Sequence, residues 1–406
     1  MGAMNIVATI LLSSPHNKNS KIYTSILYVI IYKCNGYEIM KSKQFISSIW
    51  SFNTSDNSTY LTHGAYRWYG KLVPQLVAKV FDQYAEAGDN IIANFNGSGT
   101  IALESFIRKI NCIGTDINPL ALLISKVKTT KISINNLDKD IQRIITASKK
   151  IEESVDVSHL YQPDKWYNEK DAFKLVAIKK IIDEISDENI KNFYLVALAN
   201  ITRECSNIDS RCVNHIVVDK KKKTKDVYEA FENSVKNIYE NIKELDEYNS
   251  SSKIEFINQS ADDMSYADDN SVDLVFSHPP YLNAVNYYNI YRLSTDLLGM
   301  NYENIRGKDF SAKKIESFME FMEKSFQESY RVLKNNKRCV VVIGDVRFQG
   351  NILTIGVDFV NLLRKAGFKI EDMFIWELSK KAGMNVARRG NFIDHNYIIV
   401  AKKEEK

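Results

Sequence analysis

The stretch Ile91-Ile92-Ala93-Asn94-Phe95-Asn96-Gly97-Ser98-Gly99-Thr100 runs from an apolar strand into a turn holding two glycines. Residues 101–109 then read as a helix. Glycine lets a backbone bend sharply or approach a ligand closely, so the turn reads as a cofactor loop. Alone, it is equally a tight strand-to-helix connection or a phosphate loop. The next strand narrows the choice. Cys112-Ile113-Gly114-Thr115-Asp116-Ile117-Asn118-Pro119 ends on an acidic residue, placed as in nucleotide-binding α/β folds to accept hydrogen bonds from ribose hydroxyls.

A second strand-to-loop junction lies far downstream. The apolar run Val272-Asp273-Leu274-Val275-Phe276 enters Ser277-His278-Pro279-Pro280-Tyr281. Two prolines leave this loop few conformations to lose, so it can hold a polar acceptor and an aromatic face at fixed positions around a flat substrate. A base drawn out of a nucleic-acid stack is such a substrate. A lone Pro-Pro-Tyr is more often a turn, but here both loops follow apolar strands.

Together the two loops resemble the signatures of S-adenosylmethionine-dependent amino-methyltransferases acting on nucleic-acid bases, an F-x-G-x-G cofactor loop and a [D/N/S]-P-P-[Y/F/W] catalytic loop. Other segments are similar to that family: His63 to Leu76 before the glycine loop, Thr115-Asp116-Ile117-Asn118-Pro119-Leu120-Ala121 after it, and Leu282-Asn283-Ala284-Val285-Asn286-Tyr287 beyond the prolines. The resemblance covers the chain from about His63 onward. It implies a doubly wound, Rossmann-like α/β sheet closed by a terminal antiparallel hairpin, with S-adenosylmethionine as cofactor and no metal. It carries the cofactor over to Phe95, Asn96, Gly97, Ser98, Gly99, Thr100, Asp116, Ile117, Ser260 and Asp262, and catalysis to Ser277, His278, Pro279, Pro280 and Tyr281.

Four features depart from the family pattern. Ala93 stands where an aspartate usually faces the methionine amino group of the cofactor. Ser260, with Asp262 and Asp263 slightly later, stands where an acid usually meets the adenine amino group. His278 replaces the usual Asp, Asn or Ser before the prolines. Residues 101–276 separate the two loops, far more than a connection inside an α/β sheet needs, which implies an insertion.

The insertion reads as mostly helical, with apolar residues three and four apart over 171–182, 190–205 and 227–245. Between those helices, Arg203, Ser206, Asn207 and Arg211 have side chains able to read base edges; Lys220, Lys221, Lys222 and Lys223 form a run that on its own reads more simply as a solvated loop but beside a base-flipping loop is placed to contact phosphates. Asn283, Tyr287, Arg388 and Arg389 are further candidates for nucleic-acid contact, the arginines with Lys380 and Lys381 in a basic connector between the last two strands, 374–376 and 397–400. Residues 318–332 and 359–365 read as helices and 339–345 as a strand.

With 406 residues, 45% hydrophobic and 26% charged, the chain has the composition of a soluble globular protein with two or three domains, and no apolar run reaches membrane-spanning length. We divide it into an N-terminal arm (1–55), a cofactor-binding half (56–135), a helical target-recognition region (136–250) and a catalytic half (251–406). Met1-Gly2-Ala3-Met4 looks like an expression-vector scar, and residues to about Thr54 give no periodic signal. Five scattered cysteines, Cys34, Cys112, Cys205, Cys212 and Cys339, favour free thiols over a disulfide frame or zinc site. A net charge of +4 permits nucleic-acid binding without demanding it.

The expectation is a cytoplasmic DNA methyltransferase that modifies cytosine N4 or adenine N6 of a flipped base in double-stranded DNA, with a cognate restriction endonuclease or defence-system component as candidate partner. An RNA base methyltransferase, a catalytically degenerate DNA- or cofactor-binding module and a small-molecule methyltransferase are the rival readings.

Overall fold

Eight strands form the central sheet of the computed structural model, which describes residues 25–28, 43–52, 58–212, 216–282, 286–310, 314–348, 351–378 and 395–405. In chain order they are β1 (Ser48–Ser51), β2 (Asn90–Ala93), β3 (Asn111–Thr115), β4 (Ile254–Ile257), β5 (Val272–Ser277), β6 (Leu333–Ile343), β7 (Lys369–Glu377) and β8 (His395–Lys402). Across the sheet the order is β1-β7-β8-β6-β5-β2-β3-β4. β8 is antiparallel to both its neighbours, and the remaining pairs are parallel. The expected doubly wound sheet with its terminal antiparallel hairpin is therefore present.

Strands in the middle of such a sheet bury both faces, which is why β5 and β6 are continuous apolar runs rather than alternating ones. One face packs Ile91, Ala93, Leu274, Phe276, Val340 and Val342 beneath α1 (Pro74–Tyr84) and α2 (Thr100–Ile107). The intervening residues Ile92, Val275, Val341 and Ile343 point the other way, under α8 (Ile315–Val332) and α9 (Ile355–Ala366). Asp273 is the buried acid within β5, and it pairs with Lys334 Nζ at 3.0 Å and Lys337 Nζ at 3.1 Å.

The helical region carries α4 (Leu137–Ile151), α5 (Glu169–Asp183), α6 (Glu188–Ile201) and α7 (Val227–Lys243). Asp187 and Asp226 cap α6 and α7 by accepting backbone N–H groups of the first turn, which fixes where those helices begin. Helix α6 stops at Ile201, short of the expected Cys205, because the chain turns there into the loop holding Arg203 and Arg211. These helices do not fold apart from the sheet. Phe193, Ala197, Phe231 and Val235 share one apolar cluster with Leu120, Ala121, Ile124 and Val127 of α3 (Pro119–Lys128).

Strand β1 carried no usable signal in the sequence, since Ser-Ile-Trp-Ser shows no apolar–polar alternation. It pairs in parallel with β7, with Trp50 opposite Trp376. The Trp50 ring is 2% exposed and stacks on Phe374 at 4.5 Å, while Lys79 Nζ sits 4.1 Å from its centroid on the indole. Packing on the partner strand, rather than local propensity, makes this strand. Trp50→Ala should therefore cost about 3 kcal/mol of unfolding free energy, read as a lowered urea midpoint. An unchanged midpoint would show that the edge strand contributes nothing to the sheet.

Candidate active site

Strands β2 and β5 lie side by side with Ala93 opposite Phe276, so the glycine loop and the proline loop leave the sheet at adjacent carboxyl ends. Open α/β sheets bind ligands at that edge. A cleft of about 990 Å³, mouth included, opens there between the two loops.

The glycine loop is held from below. Asn96 N–H donates to Thr115 O at 2.9 Å and Gly99 N–H to Asn96 O at 3.0 Å. Both glycines have left-handed backbones, φ 52° at Gly97 and 77° at Gly99, but for different reasons. A Cβ on Gly99 would lie 2.6 Å from Ser125 Oγ and 3.0 Å from Ser125 Cα, so Gly99 lets the turn sit on α3. A Cβ on Gly97 would meet Trp68 Nε1 at 3.5 Å, and Gly97 forms part of the cleft wall. Beneath the loop, buried Lys128 donates from Nζ to Ser98 O at 2.8 Å, and burial brings its ammonium down to about 7.

Asp116 accepts the N–H groups of Gly97 and Asn118, each at 2.9 Å. Burial outweighs those bonds and pushes its carboxyl up to about 6. Phe95, Asn96, Ser98 and Thr100 join Gly97 in the cleft wall, which Asp116, Ile117 and Ser260 also line. Asp262 stands behind that wall and accepts the Ser260 hydroxyl at 2.5 Å.

His278, Pro279 and Pro280 line the same cleft. Burial pushes the His278 imidazole down to about 4, so it is neutral at physiological pH and keeps one unprotonated ring nitrogen. Ser277 ends β5 fully buried, its Oγ without a hydrogen-bond partner among the described residues. The Tyr281 ring meets His278 edge-on at 5.7 Å and packs beside Gly344 rather than in the cleft wall.

Residues proposed for nucleic-acid contact separate by environment. Tyr287 lines the cleft against Gly70. Arg203 donates to the carbonyls of Asp209 and Cys212 and lies over the Tyr69 ring at 5.6 Å, so it ties its own loop together. Asn207 is buried, its Nδ2 on Lys165 O at 3.3 Å. Arg211 is exposed but forks onto Asp209, with Nε 2.9 Å from Oδ1 and an Nη nitrogen 2.7 Å from Oδ2. Lys220, Lys221 and Lys223 are exposed, whereas Lys222 turns inward onto the carbonyls of Arg203 at 2.6 Å and Ser206 at 2.8 Å. Asn283, Lys380, Lys381, Arg388 and Arg389 lie outside the described residues.

Several cleft residues were missed by sequence reasoning. Asp309 and Phe310 follow the short helix Tyr302–Lys308, where no motif marks them. Phe310 stacks on Phe321 at 4.4 Å, and Phe321 stands edge-on to Phe95 at 6.0 Å, extending the loop's aromatic wall. Trp68 stacks on Tyr291 at 4.0 Å, an aromatic pairing across residues far apart in sequence. Among the described residues no cluster of three or more His, Cys, Asp or Glu could hold a metal, and no helix is long and apolar enough to cross a membrane.

A glycine-loop cleft beside a proline loop, on a sheet with this strand order, is the methyltransferase architecture expected from the sequence. Residues 272–406 match the N6_N4_Mtase family model, described as DNA methylase. Among curated relatives, the type II methyltransferase M.MvaI of Kocuria varians is 28% identical over 162 residues, covering 37% of this chain and 36% of that protein. M.MjaII of Methanocaldococcus jannaschii is 33% identical over 156 residues, 36% of this chain and 29% of that one. M.BsoBI of Geobacillus stearothermophilus is 24% identical over 310 residues, 66% and 58% respectively. The chain thus spans about a third to three fifths of the length of these relatives. A solved TehB-like SAM-dependent methyltransferase from Corynebacterium glutamicum aligns over 81% of this chain and 87% of its own, at 11% identity and a TM-score of 0.32. The fold assignment rests on strand order, not on that likeness.

Gly97→Val would force a branched side chain into a left-handed backbone at the cleft wall. The variant should unfold in urea as a cooperative protein yet lose S-adenosylhomocysteine binding in calorimetry. Parental affinity in a folded variant would remove this loop as the cofactor site.

Proposed function

We propose that the chain is an S-adenosylmethionine-dependent DNA amino-methyltransferase acting on cytosine N4 or adenine N6 of an extruded base. One observation carries this reading: β2 and β5 are adjacent, so the glycine loop and the His278-Pro279-Pro280 loop share one cleft. When bound, the cofactor supplies a methyl group on a sulfonium, ready to be attacked by a nucleophile. Asp116 accepts from the ribose and Gly97 lets the ligand lie against the backbone. The Ser98 hydroxyl and Asn94 amide, unmet among the described residues, fit a ligand rich in polar groups, because a buried donor or acceptor left alone costs about 1–3 kcal/mol.

An exocyclic amine is a poor nucleophile because its lone pair is delocalised into the ring. Neutral His278, or the Ser277 hydroxyl, accepts an amine hydrogen and draws the nitrogen toward tetrahedral geometry. The nitrogen so positioned would take up the methyl group that the bound cofactor supplies, and its surplus proton would pass to the unprotonated ring nitrogen of His278 and on to solvent. Tyr287, which lines the cleft, offsets part of the unstacking of the base, while Tyr281, packed beside Gly344, supports the loop from behind. Residues 136–250 form the target-recognition region, with Lys220, Lys221 and Lys223 on phosphates, and the 379–394 connector with Arg388 and Arg389 adds cations. Action in the cytoplasm beside a cognate restriction endonuclease fits the type II relatives.

Ala93, Ser260 and His278 departing together favour a second reading, a module that binds cofactor and DNA without turnover. Tritiated methyl transfer from the cofactor to duplex DNA, RNA or neither separates the readings. His278→Ala should lower transfer by about two orders of magnitude or more while DNA still binds, and His278→Asp should retain activity. Parental rates in His278→Ala would leave Ser277 or the backbone as the acceptor. No transfer by parent or His278→Asp, with cofactor bound, would establish the module.

Two pH limits should separate. Asp116 is a carboxylate above about 6, so S-adenosylhomocysteine affinity should fall as pH drops through about 6, and Asp116→Asn should flatten that profile. His278 keeps its acceptor until about 4, so the methyl-transfer step at saturating cofactor should persist well below 6. A single shared midpoint near 6.5 would contradict a desolvated His278.

Replacing Lys220, Lys221 and Lys223 together by alanine should weaken binding to all duplexes alike and lower the salt slope. Lys222→Ala should instead lower stability, because it removes the donor closing the carbonyls after α6. If Lys222→Ala lowers the salt slope as much as the triple variant, the division between them is wrong.

A further inference from the structure

We infer that Asn94 binds the amino-acid end of the cofactor with a neutral amide, replacing the charge that an acid at Ala93 would have supplied. This rests on the cofactor reading above. Ala93 is fully buried and offers a methyl group alone. Asn94, the residue after it, is 1% exposed and belongs to the cleft wall. Its main-chain carbonyl is tied to β3 by Thr115 Oγ1 at 3.4 Å. Its side chain is not tied at all: among the described residues neither Oδ1 nor Nδ2 has a hydrogen-bond partner.

Buried polar side-chain atoms are nearly always satisfied, so a primary amide unmet at both ends, in a cleft wall, points to a missing partner. The chemistry of that partner follows from the amide itself. A carboxamide presents an acceptor and two donors on one planar group. An α-amino acid presents an ammonium that donates and a carboxylate that accepts. The two match one to one, with Asn94 Oδ1 taking the ammonium and Nδ2 giving to the carboxylate.

The surrounding charges favour the same orientation. Lys71 lines the cleft, its Nζ donating to His63 O at 2.8 Å with further N–H groups to give. Lys128 lies under Ser98, outside the cleft lining, where burial brings its ammonium down to about 7, so Lys71 rather than Lys128 presents an ammonium to the cleft. Glu104, the acid that acts on Lys128, is committed to His63, Tyr60 and Arg108. A ligand carboxylate placed against Lys71 meets an ammonium, while Asp116 stands where the ribose would lie. Recognition of the amino-acid end thus runs through its carboxylate by charge and its ammonium by an amide.

Calorimetry on the full chain with three probes tests this. S-adenosylhomocysteine carries the amino-acid end, methylthioadenosine lacks it, and decarboxylated S-adenosylhomocysteine keeps the ammonium alone. Asn94→Ala should weaken S-adenosylhomocysteine about tenfold while methylthioadenosine changes less than about twofold. Asn94→Asp, nearly isosteric, guards against a cavity effect: it should bind the decarboxylated probe more tightly than the parent does, and S-adenosylhomocysteine less favourably relative to that probe. Equal losses for S-adenosylhomocysteine and methylthioadenosine in both variants would make Asn94 a structural residue and overturn the inference. So would unchanged affinity for all three probes. A parent that binds methylthioadenosine but gains nothing from the amino-acid end overturns the inference and leaves the cofactor reading standing; a parent that binds none of the probes brings down both.

Discussion

The pairing of β2 with β5 in the middle of the sheet is the constraint on which the rest depends. Glycine loop and proline loop are separated by residues 101–276, yet the Ala93–Phe276 register sets their first residues side by side. That register cannot slip by one, because the alternating set Ile91, Ala93, Leu274 and Phe276 would then exchange faces with Ile92 and Val275, and both faces are filled. The cleft is thus defined by packing far from the residues that line it. Substitutions in either face of β5 should disturb the meeting of the loops before they disturb any single contact in the cleft.

Under the glycine loop the structure tolerates ionisable groups that an apolar core would not. Glu104 is fully buried, with Oε1 2.8 Å from His63 Nε2 and further bonds from Tyr60 and Arg108. Burial pushes His63 down to about 4, so the contact is a neutral imidazole N–H donating to a carboxylate rather than an ion pair. His63 Nδ1, without a hydrogen-bond partner among the described residues, agrees with that tautomer. A carboxylate with several donors survives burial where an isolated ion would cost several kcal/mol. Because Glu104 lies on the helix that begins at Thr100, and Lys128 on the helix that carries Ser125, the network fixes both supports of the glycine loop at once.

Local signals explain what could be read from the sequence. The glycine turn, the proline loop and the amphipathic helices are written in periodicity and in residues with special backbones, and α7, α8 and β5 fall within a few residues of expectation. Strand β1 and helix α4 were not legible: the first is made by Phe374 and Trp376, and the second, although its buried face Ile141, Ile144, Ile145 and Ser148 is periodic, sits in a charged stretch. The environment of polar residues was illegible for a different reason. Arg203, Asn207 and Lys222 have the composition of a DNA-reading surface, but backbone carbonyls claim them: those after α6 take Arg203 and Lys222, and that of Lys165 takes Asn207. Asp309 and Phe310 reach the cleft through tertiary folding alone.

The helical region is bound to the cleft by more than the shared cluster on α3. Tyr66, Trp68 and Tyr69 form a strip between them: Tyr66 Oη lies 3.4 Å from Ser294 Oγ, Tyr69 N–H donates to Tyr291 Oη at 2.6 Å, and Arg203 lies over Tyr69. Across the gap, the Arg292 guanidinium is 3.2 Å from the Tyr161 ring centroid and 3.7 Å from that of Tyr302. Tyr161 belongs to the helical region, whereas Arg292 and Tyr302 belong to the segment that follows the proline loop and supplies Tyr287, Lys308 and Asp309 to the cleft. A guanidinium between two rings is a directional contact, and it holds only while the two parts keep their relative position. Any displacement of the helical region therefore acts on the same segment that lines the cleft, and the coupling runs through packed aromatic and cationic side chains rather than through the sheet.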